Sequence, residues 1–266
     1  MQFFKQLSPF QKGFLVFFIV ASFVSFFIPL IMGQESFIGL FGFFSIIGLI
    51  SAISGVLASI FQVRAKAAYY LWFLLNTVTY AIICLHENLY GQFIQNFIIL
   101  LPLEVAGFIA WKKHIENSKE KKLIVRRFTK MNWVVSIILA IIAWGVYAVF
   151  LKYLPNIFSS LFGMQIAADP QFKLDALTSV MTIFAVYITS KRFIEQWYFW
   201  LVANAGIIIF IKSIIESGVF SMSDLSGAIV LGQYGVISLY GLYSWIKMYK
   251  KQKEQENVHA TSIERA

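Results

Sequence analysis

Apolar residues run along this chain in long blocks separated by short polar or basic intervals, and they almost nowhere alternate residue by residue. Eight such blocks stand out, at 12–31, 39–62, 68–86, 89–111, 132–151, 174–190, 195–215 and 225–247. Each is long enough to cross a hydrocarbon core of about 30 Å as a helix. Without strand-period alternation a barrel is not expected. The pattern predicts an all-α polytopic membrane protein with eight transmembrane helices. The first block follows Lys5 and Lys12 like a secretory signal. It is too long for one and no small-x-small cleavage site follows, so it is expected to stay as a helix.

Within the blocks one phrase occurs twice. Trp72 and Asn76 stand four apart in the third block, and Trp200 and Asn204 repeat that spacing 128 residues later. A closing phrase also recurs, Gly107 to Trp111-Lys112 and then Gly241 to Trp245-Ile246-Lys247. The repeat therefore covers three helices each time. Two parallel copies of an odd number of helices need one inverting helix between them, and 132–151 supplies it. The expected architecture is 1+3+1+3: an extra N-terminal helix and a SWEET-like 3+1+3 core with its pseudo-two-fold axis along the membrane normal. The divisions are 1–38 for the extra helix and 39–111 for the first repeat. The basic linker, inverting helix and outer loop occupy 112–173, the second repeat 174–248 and a polar tail 249–266. The apolar stretch Ile157 to Ile166 of the outer loop is expected on the membrane surface.

Composition agrees. The chain is 59% hydrophobic and 13% charged, with mean hydropathy +0.74, whereas a soluble domain carries about a quarter charged residues. Charge then orients the spans. With the N-terminus in the cytoplasm, all but three of the 22 Lys and Arg fall on cytoplasmic segments, the exceptions being Lys152, Lys173 and Lys212. This obeys the positive-inside rule and puts both termini in the cytoplasm. It also accounts for the net charge of +9 through lipid headgroups, without nucleic acid. A single cysteine, Cys84, leaves no intrachain disulfide. No metal site, nucleophile constellation or cofactor motif can be assembled within the spans, so an enzyme is not expected.

An ordered set of residues resembles the PnuC family of bacterial vitamin transporters. In the second repeat these are Leu174-Asp175-Ala176-Leu177-Thr178, Lys191-Arg192, Glu195, the W-x-x-W of Trp197 and Trp200, and Asn204. In the first they are Asn88, Tyr90-Gly91, Asn96, Pro102, Gly107 and Trp111. Glu104 departs from the family pattern, which leads one to expect an uncharged residue such as Asn. The resemblance implies a facilitator for nicotinamide riboside in the bacterial inner membrane, working by alternating access of two three-helix halves. It further implies trapping by a cytoplasmic nicotinamide riboside kinase, and a homotrimer. Thiamine, another vitamin or a nucleoside is the nearest alternative substrate; a membrane receptor or signalling subunit is the reading from another class.

Nicotinamide riboside is a flat pyridinium with a carboxamide and a ribose. It calls for aromatic faces, each worth about 0.5–2 kcal/mol to a cation, and for a few orienting amides and hydroxyls. Trp197, Trp200 and Asn204 share one helical face, with Asn204 expected near mid-membrane. Trp72, Asn76 and Tyr80 reproduce that face in the first repeat. Gln95 and Asn96 are candidates for the ribose, Asp175 and Thr178 for attracting a cation from outside, and Gln233 and Tyr234 for the matching stretch of the last helix. Glu104 and Pro102 are candidates for coupling or gating. The second repeat is expected to grip the substrate more than the first.

Overall fold

A computed structural model describes residues 2–118, 122–204 and 222–264, with the side chains of 3–118, 122–204 and 232–258. A short α1 (Gln2–Lys5) leads into α2 (Pro9–Ile31), α3 (Phe37–Leu40), α4 (Phe43–Val63), α5 (Ala68–His86) and α6 (Tyr90–Phe93). A π-helical stretch, Ile94–Leu100, joins α6 to α7 (Leu101–Asn117). Then follow α8 (Lys130–Phe162), α9 (Phe172–Ser190), α10 (Gln196–Ala203) and α11 (Met222–Glu264). Among the described residues, six segments are long and apolar enough to cross a membrane: α2, α4, α5, Tyr90–Asn117, α8 and α9. The predicted block 195–215 begins as α10, and its continuation beyond Asn204 lies outside the described residues.

Local chemistry sets several of the boundaries. Ser8 and Gln11 form a reciprocal capping box ahead of α2, with Pro9 in the first turn where its missing N–H is harmless. Pro102 interrupts the hydrogen-bond ladder, and the ladder widens into the π turn just before it, so the segment continues as one helix. Gly163, at φ +65°, ends α8 in the left-handed region.

Helix α8 corrects the expected outer loop. It runs 33 residues, roughly 50 Å at the helical rise, with Pro155 inside it. The stretch from Ile157 to Phe162 thus continues a helix; it is not a separate surface segment. The expected break at Lys152 fails because one lysine can carry its ammonium to the membrane edge while its stem stays apolar. Similarly, α7 extends past Trp111 to Asn117, and α11 carries most of the polar tail as helix.

Packing gathers α4, α5, α7, α9, α10 and α11 around one core, with α4 on α5 and α11, α7 on α5 and α9, and α10 on α9 and α11. Helix α2 leans on α4 and α11 from outside, where Phe10 stacks on Tyr240 with ring centroids 4.0 Å apart. Helix α8 packs on α9 and leaves most of its apolar surface outward, as suits a lipid-facing helix. One end of the bundle is basic, carrying Arg64, Lys112, Arg126, Lys191 and Arg192. There the linker crosses the α9–α10 turn: Arg126 N donates to Arg192 O at 2.8 Å, and Ile194 N to Arg126 O at 3.0 Å. Burial and the neighbouring Arg126 hold the Arg192 guanidinium below its ordinary pKa.

Candidate functional site

Helix α4 turns a face of small residues inward: Ser51, Ser54, Gly55, Ala58 and Ser59 are buried along it. Small residues let neighbouring helices approach closely in a membrane. Asn76 of α5 uses that closeness, its Nδ2 donating to Ser51 O at 2.8 Å and to Ser51 Oγ at 3.2 Å. From the other side Tyr234 of α11 reaches in, and a Cβ on Gly55 would stand 2.6 Å from its hydroxyl.

Beside Gly55 lies a cavity of about 20 Å³. Its aromatic wall is Tyr69, Phe73, Trp197, Trp200 and Tyr234, with Phe73 and Trp200 edge to face at 6.1 Å. Several buried polar atoms here have no partner: Tyr69 OH, Trp197 Nε1, Trp200 Nε1 and, on α11, Gln233 Nε2. Leaving such a group unsatisfied costs about 1–3 kcal/mol. A cluster of aromatic faces with spare donors is what a flat, oxygen-bearing ligand requires.

Toward the basic end the cavity is sealed by a crosswise arrangement. Trp111 Nε1 of α7 donates to Thr189 O at the end of α9 (2.9 Å), and Trp245 Nε1 of α11 donates to Gln62 O at the end of α4 (3.1 Å). The two indoles lie 6.1 Å apart, with Tyr70 edge-on to Trp111 at 5.2 Å and Trp197 edge-on to Trp245 at 6.0 Å. Two glycines admit these rings: a Cβ on Gly107 would lie within 2.6 Å of the Tyr70 ring, and one on Gly241 would collide with the Trp197 ring. Below them Gln196 Oε1 accepts from Gln62 Nε2 at 3.0 Å and also from Thr189 Oγ1.

At the opposite end a larger cavity of about 610 Å³ opens among α6, α8, α9 and the 165–170 segment. Asp169, Asp175, Glu87, Tyr90 and Gln92 line it, and Gln92 Nε2 donates to Asp175 Oδ2 at 3.4 Å. Ser179, also in its wall, donates to Gln95 at 2.7 Å.

The structure thus brings Trp197, Trp200 and Tyr234 together in one wall. Asn76 stands next to it, holding α4. Trp72 packs against the core beside the cavity, and Tyr80 is 41% exposed and outside the cavity's lining. Asn204 folds back on its own turn, Nδ2 donating to Trp200 O at 2.8 Å. Asn96 does the same to Gln92 O, and Thr178 to Asp175 O. Asp175 belongs to the outer cavity. Glu104 is fully buried, its Oε1 accepting from Thr77 Oγ1 at 2.6 Å. Sequence reasoning passed over Tyr69, Phe73, Gln62 and Gln196. The small-residue run of α4 was the available signal for Gln62, being spaced along one helical face.

A model of the nicotinamide mononucleotide transporter family matches residues 45–248. The chain belongs to the nicotinamide mononucleotide transporter family. Its members are membrane transporters, not enzymes, and the chain is a multi-pass membrane protein. Among curated relatives, the nicotinamide riboside transporter PnuC of Neisseria mucosa is 24% identical over 228 residues, covering 84% of this chain and 81% of that one. The nicotinamide riboside transporter PnuC of Haemophilus influenzae is 23% identical over 207 residues, covering 77% and 81%. The crystal structure of the vitamin B3 transporter PnuC superposes with a TM-score of 0.66 at 22% identity, over 92% of this chain and 94% of the other. That likeness establishes a shared fold.

Proposed function

We propose that this transporter imports nicotinamide riboside by facilitated diffusion across a bacterial inner membrane. The carrying observation is the central cavity, where the faces of Trp197, Trp200, Tyr69, Phe73 and Tyr234 surround buried donors without partners. Aromatic faces suit the pyridinium, and the spare donors suit the carboxamide oxygen and ribose hydroxyls. The family is described by the mononucleotide and the curated relatives by the riboside. Among the described residues neither the central nor the outer cavity has a Lys or Arg in its wall. A phosphate would meet no counter-charge there, which favours the riboside.

The proposed topology has eight crossings with both termini and the basic end in the cytoplasm. The two repeats, 39–111 and 174–248, move about the site, with 1–38, the 112–173 unit and the 249–266 tail as attachments. Trp197, Trp200, Tyr234, Gln233 and Asn76 act at the central site, and Asn204, Trp72, Tyr80, Gln95 and Asn96 in its surroundings. Asp175 and Thr178 stand on the outer approach. Pro102 is the bend about which α7 moves. A cavity of about 20 Å³ is far below the roughly 300 Å³ of a ligand pocket, so binding requires the helices to part. The sealed basic end and the outer cavity support a state closed toward the cytoplasm. Trapping follows from phosphorylation of the imported riboside by a separate cytoplasmic kinase.

The test is uptake into proteoliposomes of nicotinamide riboside beside thiamine, riboflavin, nicotinamide and nicotinamide mononucleotide. Saturable uptake of the riboside alone is expected. Saturation by thiamine or the mononucleotide without the riboside overturns the specificity.

A further inference from the structure

We propose that Glu104 sets charge selectivity at the central site, as the carboxylate that compensates a heteroaromatic cation. The inference rests on the transport reading above, but not on which cationic vitamin is carried. Glu104 is wholly buried, and only one of its oxygens is engaged, by the Thr77 hydroxyl at 2.6 Å. The other oxygen has no partner, and among the described residues no Lys, Arg or His pairs with this carboxylate. Placing such a group within a membrane span costs about 2.5–3.5 kcal/mol, which a purely structural role would not require.

Its surroundings connect it to the substrate wall. Tyr69, Phe73 and Thr77 stand at successive turns on one stripe of α5. Tyr69 and Phe73 line the cavity, and Thr77 holds Glu104. The hydroxyls of Tyr69 and Tyr70, on the same helix, are both buried without partners. The carboxylate thus stands behind the cavity wall, held by Thr77 one turn from Phe73, and its unpaired oxygen meets a ligand beside the Trp200 face once α5, α7 and α10 separate. An entering pyridinium or thiazolium ring would stack on the indole and bring its positive charge to the carboxylate. Burying the two charges together is far more favourable than burying either alone.

The experiment compares two ligands that differ in charge and little else: nicotinamide riboside and its dihydro form, which keeps the carboxamide and ribose on a neutral ring. Binding to the purified full-length protein in detergent is measured for both, with thiamine as a second cation. Wild type is expected to prefer the cation at least tenfold over the dihydro form. Glu104→Gln should reduce that ratio to below threefold by weakening the cation alone, leaving the dihydro form within about twofold of wild type. Glu104→Asp, which keeps the charge, should retain most of the ratio. Equal loss of both ligands in Glu104→Gln, or an unchanged ratio, overturns the proposal. If Glu104→Gln does not fold, a wild-type ratio below threefold overturns it by itself. Should thiamine bind in place of the riboside and lose affinity in Glu104→Gln, the substrate assignment fails while the charge selectivity stands.

Discussion

Gly107 and Gly241 bear hydrogens where side chains would occupy the space of Tyr70 and Trp197. Overpacking of this kind costs about 1–3 kcal/mol. Gly107→Ala and Gly241→Ala should therefore each lower the unfolding midpoint in detergent, and Gly13→Ala, which meets open space, should not. At the site, Trp200→Ala removes a face of the central cavity. Riboside affinity should fall about tenfold or more, as expected from losing a desolvated cation–π contact, while Trp200→Phe recovers part of it; binding titrations check both. The recurring Trp-Asn phrase is visible in the sequence, but the ring positions are not. An offset of 128 pairs Trp197 with Tyr69, yet the ring seated on the matching glycine is that of Tyr70. Adjacent residues on a helix point about 100° apart. A sequence offset fixes neither a ring's rotamer nor the tilt of its helix.

Gln196 opens α10 and holds Gln62 at the end of α4 and Thr189 at the end of α9 through one carbonyl oxygen. Removing it leaves the buried Gln62 amide without its acceptor and returns the Thr189 hydroxyl to the Ala185 carbonyl alone, 2.6 Å away, which should loosen the seal at the basic end. In a Gln196→Ala background, a cysteine at Ser59, which is buried and lines the cavity, should react several-fold faster with a thiol reagent supplied from the basic side. An unchanged labelling rate would show that the aromatic cluster seals the bundle unaided. Most helices could be read from their apolar blocks, because membrane spans leave no choice but to bond internally. Their ends were less legible. Polar residues such as Lys112 and Lys152 prolong a helix without cost once it leaves the hydrocarbon, so α7 and α8 overrun the apolar pattern.

At the scale of the whole molecule, most of the basic residues collect at one end and the carboxylates Asp169, Asp175 and Glu87 line a cavity at the other. A protein oriented by its positive charge should present tags at both termini to the cytoplasm. Protease treatment of intact spheroplasts should spare both tags, and lysis should expose both; cleavage of one tag alone in intact cells would exclude an even number of crossings, and cleavage of both would reverse the orientation. The acidic approach carries its own expectation. Asp175→Asn together with Asp169→Asn should raise the KM for riboside uptake severalfold at low ionic strength, and much less in high salt, where surface charge is screened. What the sequence could not convey is how closely the helices pack over the central cavity, which at about 20 Å³ depends on helix positions that no residue pattern fixes.

Trp111 and Trp245, each fully buried and each bonded to the end of the facing helix, also make the protein its own optical probe. Their indoles lie in a dry, aromatic environment here, and opening of the seal in the proposed transport cycle should admit water to them. Emission from this pair should shift to longer wavelength in the open state and become quenchable by iodide. The conformational equilibrium can then be followed in unlabelled protein, with no added dye to perturb it.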